Sequence, residues 1–119
     1  MPIKGIAHVQ VSITAGGEDR ARFFYGSILG MEEVPKPDSL SDRGGVWFAC
    51  GEQQLHCGVE DIVSESRRHV ALITDDLDGL RAALAGAAFP AIVDRRVPGY
   101  RRFYTSDPFG NRLELMQPE

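Results

Sequence analysis

The chain has 119 residues, 43% of them hydrophobic and 25% charged, with a formal net charge of −4 from 13 basic and 17 acidic side chains. These values sit close to the globular average of about 45–50% apolar and about 25% charged, which excludes wholesale disorder and suits one compact unit or two small halves sharing a core. No run approaches the roughly 18–20 apolar residues of a membrane helix, and the basic pairs Arg67-Arg68, Arg95-Arg96 and Arg101-Arg102 are dispersed rather than gathered into the face a nucleic-acid binder presents.

The opening Met-Pro-Ile-Lys-Gly lacks the apolar stretch of a secretory leader, so a cytoplasmic location is expected. Cys50 and Cys57 are too few for an all-cysteine zinc site and fit free thiols in a reducing compartment.

Residues 5–13 alternate with a period of two. Ala7, Val9, Val11 and Ile13 share one face, and Ile6, His8, Gln10 and Ser12 the other, which predicts a strand with one apolar side. Ala15-Gly16-Gly17 breaks it. Over 18–29 the spacing of Ala21, Phe24, Ile28 and Leu29 predicts a helix, with Glu18 and Asp19 at its positive end and Gly30 as its stop. A short strand is expected at 31–34, then a breaker-rich loop over 35–45. Val46–Cys50 and Gln53–Val59 read as strands joined by a tight Gly51-Glu52 turn.

Residues 60–66 are polar enough to link two halves, and the order then repeats. A strand is expected over 68–74 and a helix over 77–86, capped by Asp75-Asp76, with Leu77, Leu80 and Leu84 on one face. Ile92-Val93 offers a short strand. Segments 101–106 and 112–117 form a hairpin around Asp107-Pro108-Phe109-Gly110-Asn111, five residues dense in turn formers. Each half thus reads strand–helix–strand–strand–strand. His8-Val9 finds its match in His69-Val70, 61 positions later, and Leu55-His56-Cys57 in Leu113-Glu114-Leu115, 58 positions later. Near-equal offsets put each pair on the equivalent strand of its half.

The three histidines of the chain, His8, His56 and His69, all fall in predicted strands, and Glu114 falls in the last one. The apolar neighbours that should pack under a helix flank His8, His56 and Glu114, which leaves these three on the helix-free face of their sheet. His69 is less clean, because it shares its face with Ala71 and Ile73. If the two helix-free faces meet, His8, His56, His69 and Glu114 converge on one cavity. Imidazoles plus a carboxylate suit a divalent metal ion of the iron, nickel, cobalt, manganese or zinc type. Such an ion can hold two adjacent substrate oxygens and stabilise an enediolate-like charge. The plainer reading of a lone strand histidine is a satisfied structural residue, and of Glu114 an exposed edge position.

A hairpin symmetric about 107–111 sets Tyr104 opposite Glu114 and Arg102 opposite Met116. Tyr104 can then hydrogen-bond a substrate oxygen and Arg102 hold an anionic group, whereas a one-residue slip turns both outward. A two-residue Gly51-Glu52 turn makes Trp47 face His56, either as cavity floor or as core. Gln10 accompanies the ligands, as a substrate contact or as support behind them. Glu114 is the candidate general base.

Four segments are familiar together: Ile6-Ala7-His8-Val9; Phe24-Tyr25 followed by Leu29-Gly30-Met31; His69-Val70-Ala71-Leu72; and Asp107 through Leu115. They run nearly end to end, and the last is the most specific. The sequence resembles the vicinal oxygen chelate superfamily of glyoxalase I, bleomycin-resistance proteins, fosfomycin-resistance enzymes, extradiol dioxygenases and methylmalonyl-CoA epimerase. The resemblance implies an α+β fold. Two βαβββ modules, about 5–60 and 67–117, make a U-shaped mixed sheet around a metal cavity with helices outside, in one domain over 1–119, often as a homodimer. It implies metal ligands at His8, His69 and Glu114. Where glyoxalase-like members often carry Glu or Gln as a further ligand, this chain has His56, a departure that sets it apart from glyoxalase I itself. The implied activity is that of a metal-dependent lyase, isomerase or dioxygenase on a small oxygen-rich substrate. The alternative is a metal-free protein that sequesters a small-molecule drug.

Overall fold

The computed structural model describes residues 2–61 and 66–119. The expected link over 60–66 therefore lies partly outside the described residues. The chain divides into two compact units, Met1–Val63 and Ser64–Glu119.

In the first unit the alternating stretch forms β1 (His8–Ile13), where Val11 and Ile13 are buried and His8 and Gln10 exposed. One helical segment follows, α1 (Glu18–Ala21), continuing with the wider π winding over Arg22–Ile28. Leu29 N–H donates to Phe24 O at 3.0 Å and Met31 N–H to Tyr25 O at 2.9 Å. The sequence spacing predicts regular α turns burying Phe24, Ile28 and Leu29. The wider winding instead buries Phe24 and Tyr25 completely and leaves Ile28 and Leu29 half-buried. Tyr25 packs edge-on to Phe24 (5.0 Å) and against Phe48 (5.9 Å), which seats the helix on the sheet. A short β2 (Glu33–Val34) follows, and the expected loop over 35–45 contains a 3₁₀ segment, Asp38–Arg43. The strands β3 (Val46–Cys50) and β4 (Gln53–Val59) form the predicted hairpin. Sheet order is β1-β4-β3-β2, with β1 parallel to β4 and the other pairs antiparallel.

The second unit repeats the plan as β5 (His69–Ile73), α2 (Leu77–Gly86), β6 (Ile92–Val93), β7 (Tyr100–Ser106) and β8 (Arg112–Pro118), in the order β5-β8-β7-β6. Asp76 caps α2 by accepting from Gly79 N–H at 3.1 Å, and Leu77 N–H donates to Gln117 Oε1 at 2.9 Å, tying the helix start to β8. Leu77, Leu84, Phe103, Leu113 and Leu115 are buried. The β7–β8 turn is organised by Asp107. Its Oδ1 accepts from Phe109 N–H and Asn111 N–H, both at 2.9 Å, and its Oδ2 from the Asn111 amide at 2.8 Å.

The fold is thus α+β, two four-stranded mixed sheets with few helices. The repeat extends to register. His8 pairs with Gln54 and Gln10 with His56 in one unit; His69 pairs with Arg112 and Ala71 with Glu114 in the other. Among the described residues no helix is long and apolar enough to cross a membrane.

Candidate functional site

The structure brings the four candidate ligands together in pairs, one pair per unit. Among the described residues no three His, Cys, Asp or Glu side chains gather into a metal-holding group.

In the first unit His8 and His56 are diagonal neighbours on adjacent parallel strands, so their rings project from the same face. They stack, with centroids 4.1 Å apart and planes 15° from parallel. The expected register holds, and Trp47 pairs with His56 across the β3–β4 hairpin. Its indole lies 3.8 Å from the His56 ring at 2°. His56 is 5% exposed, and its Nε2 sits 2.8 Å from Gln54 Oε1. Burial, with the neighbouring His8 adding to it, pushes the His56 pKa down and favours the neutral ring. Gln10 lies on the same face, its amide over Gly58, where a Cβ would strike it. A cleft of about 250 Å³ adjoins, lined by Gln10, Lys36, Leu40, Arg43, Trp47 and Gly58 among others.

In the second unit His69 Nε2 faces Glu114 Oε1 at 3.2 Å. Glu114 is 7% exposed, so its charge needs a partner, and Arg102 supplies one at 3.1 Å from Oε2. Arg102 is itself buried. It reaches Asp94 Oδ1 at 3.0 Å and donates to Tyr104 OH at 2.9 Å. Hydrogen bonds from Arg96, with Arg102 beside them, hold the Asp94 carboxyl far below the usual carboxylate range. The symmetric hairpin sets Tyr104 opposite Glu114 and Arg102 opposite Met116. Tyr104 meets the His69 ring edge-on at 5.5 Å, and the Arg112 guanidinium covers its ring at 3.9 Å. A groove of about 600 Å³ borders Tyr104 and Arg112, with Ser66, Arg67 and Ile92 on its walls.

Arg102, expected to hold a substrate anion, is occupied by Glu114, Asp94 and Tyr104. Three participants were not singled out from sequence. Arg112 was legible, since alternation puts it on the face of Glu114. Gln54 was legible likewise beside His56. Asp94 follows the short β6 and carries no periodic signal.

The donors fit a divalent ion by their chemistry. A nitrogen and a carboxylate oxygen already face each other at His69 and Glu114, and Arg102 fixes the second carboxylate oxygen from behind.

No family model matches the chain, and no curated protein matches it. Solved structures do. A Bacillus anthracis protein described as a glyoxalase family member is 46% identical, with a TM-score of 0.91 over 98% of this chain and 97% of that one. The chain belongs to the glyoxalase family. This bears out the resemblance to the vicinal oxygen chelate superfamily, of which the glyoxalases are part. Lactoylglutathione lyase from Agrobacterium tumefaciens is 22% identical (TM-score 0.76; 98% and 96% of the two chains). A mutant of the Listeria monocytogenes fosfomycin resistance protein FosX, complexed with Mn(II) and dihydroxypropylphosphonic acid, is 17% identical (TM-score 0.81; 98% and 94%). These two likenesses are of fold.

Proposed function

We propose that this glyoxalase-family chain is a metal-dependent enzyme that acts on a small oxygen-rich substrate. Its candidate metal ligands are His8, His56, His69 and Glu114. The observation that carries the reading is the buried Glu114 carboxylate, facing His69 Nε2 through one oxygen and held by Arg102 through the other. A buried carboxylate is costly to keep, and this one is kept with an imidazole nitrogen in front of it. A divalent ion bound there would act as a Lewis acid toward two adjacent substrate oxygens.

The chain's own residues supply the rest. Arg102 orients Glu114 rather than receiving substrate. Glu114 Oε1, the oxygen that Arg102 leaves open and that faces His69 Nε2 at 3.2 Å, is the atom that takes a substrate proton. Tyr104 OH accepts from Arg102 and so has its own proton free for a substrate oxygen. Trp47 and Gln10 form one wall of the first unit's cleft, where they contact substrate. The reading includes a homodimer, since β1 and β5 each end a sheet as an edge strand.

Metal analysis of protein prepared without a histidine tag tests this. Metal in stoichiometric amount, lost in His8→Ala and in Glu114→Ala, is the expected result, followed by turnover of a hemithioacetal, catechol, epoxide or acyl-CoA ester. A preparation that takes up no divalent metal and binds an aromatic or peptidic drug tightly sinks the reading in favour of sequestration.

A further inference from the structure

We propose that His56 is not a ligand of any ion bound by His8. It is a positioning residue, the middle ring of the stack Trp47–His56–His8. The proposal rests on the metal-dependent reading above and narrows its ligand set.

An imidazole binds a metal through a ring nitrogen, in the plane of the ring, at about 2.0–2.1 Å, which puts the ion about 3 Å from the ring centroid. The rings of His8 and His56 are stacked, 4.1 Å between centroids and 15° between planes. Over a reach of about 3 Å such a tilt brings the planes together by less than about 1 Å. An ion in the plane of His8 therefore stands well out of the plane of His56. There His56 presents its π face, not a lone pair.

The rest of His56 is committed as well. Trp47 covers its other face at 3.8 Å and 2°, Gln54 Oε1 takes up Nε2 at 2.8 Å, and the residue is buried. A ring held on both faces and at one edge is a fixed platform. His8, exposed at the end of the stack, is the ring whose edge is open, and the platform sets its plane. The equivalent pair in the second unit behaves otherwise. His69 and Glu114 meet nitrogen to oxygen, the approach that a shared ion requires.

The test uses the full chain without a tag and Co²⁺ as the probe. Three readouts are taken: calorimetric affinity, paramagnetically shifted ring N–H resonances, and the emission of Trp47, the one tryptophan. His56→Ala is expected to weaken Co²⁺ binding about tenfold, as loss of a residue that orients a ligand does. His56→Phe keeps a flat ring between Trp47 and His8 and is expected to restore affinity to within about threefold, whereas His8→Ala loses about a hundredfold or more. Large through-bond contact shifts of the ring N–H are expected from His8 and His69, and from His56 only a smaller through-space shift. Trp47 emission is expected to change in His56→Ala and to return toward wild type in His56→Phe. The proposal is overturned if His56→Phe binds as weakly as His8→Ala, or if His56 shows the large through-bond contact shift of a ligand. Absence of Co²⁺ uptake by the wild type overturns the metal-dependent reading itself, and the proposal with it.

Discussion

Gly45 offers the sharpest test of how the first unit holds its candidate residues. It has φ +88°, and a Cβ there would run into the carbonyl oxygen of Cys57. Gly51, in the β3–β4 turn, has φ +59° but faces open space. Alanine at either site pays the left-handed backbone cost of about 1–2 kcal/mol. Only at Gly45 must something also move. Cys57 lies in β4, paired with Val46, so its carbonyl cannot retreat without shifting β3 against β4. Overpacking of this kind adds about 1–3 kcal/mol. Gly45→Ala is therefore expected to cost about 2–5 kcal/mol and Gly51→Ala about 1–2 kcal/mol. Gly45 N–H also donates to Glu18 Oε2 at 2.8 Å, a bond that the shift would stretch. Urea unfolding followed by Trp47 emission measures both variants by linear extrapolation. The folded baseline provides a second reading, because Trp47 is two residues on and stacked against His56. Equal losses for the two variants, with unchanged native emission, would refute the packing argument.

Asp107→Ala strips the acceptor, itself buried, from two backbone N–H groups in a half-buried turn and is expected to cost about 2–3 kcal/mol in urea unfolding. Asp107→Asn, which keeps one oxygen, should cost less, and a reversed order contradicts the role given to that carboxylate. Arg102→Met removes the cation shared by Glu114 and Asp94, so it should lower the melting temperature more than Arg96→Met, which removes a side chain that is 84% exposed. Similar melting shifts would show that Glu114 needs no buried partner. The Gly45 N–H holds the Glu18 carboxyl below its ordinary value of 4.5. A lowered folded pKa gives stability that is complete above the unfolded value and is lost as pH falls through the folded one. The stability gap between wild type and Glu18→Gln should thus be widest near neutral pH and narrow as pH falls below 4.5; a gap independent of pH counts against it.

Most of the fold was legible because the signals were local. Period-two alternation marked β1, β4 and β8, although it starts β1 at residue 5 where the strand begins at His8, and Asp76 with the leucine spacing marked α2. Register was legible too, since the short Gly51-Glu52 turn and the symmetric 107–111 turn each leave one pairing for the residues around them. The π winding was not. Its signature is that both Phe24 and Tyr25 are buried, and a template of 3.6 residues per turn puts the pair Ile28 and Leu29 inward instead. The 3₁₀ turn at Asp38–Arg43 was hidden by a composition that reads simply as loop. In the site, alternation put the right side chains on the right faces but could not say what they would do there. That Arg102 would be absorbed by Glu114 and Asp94, or that two imidazoles would stack, depends on side-chain directions that no spacing encodes.

Positions 56 and 114 are the same place in the repeat, at the same register and nearly the same burial, 5% and 7% exposed. Their surroundings differ because the groups differ in what burial demands. An imidazole can be buried neutral, and burial pushes the His56 pKa in that direction. It then needs one hydrogen bond and flat apolar contact, and Gln54 and Trp47 provide these. A carboxylate is expensive to bury charged without a cation. Arg102 meets that need, but brings further donors, some of which Asp94 and Tyr104 take up, while its Nε is left buried without a partner among the described residues. One residue difference at a repeated position has thus propagated through its neighbours, Trp47 against Tyr104 across the hairpin and Gln54 against Arg112 two residues earlier. It has left one unit with a stack of rings and the other with a chain of charges. The unit with the charges is where an ion's positive charge can be balanced, and the unit with the rings is where a single histidine can be held still.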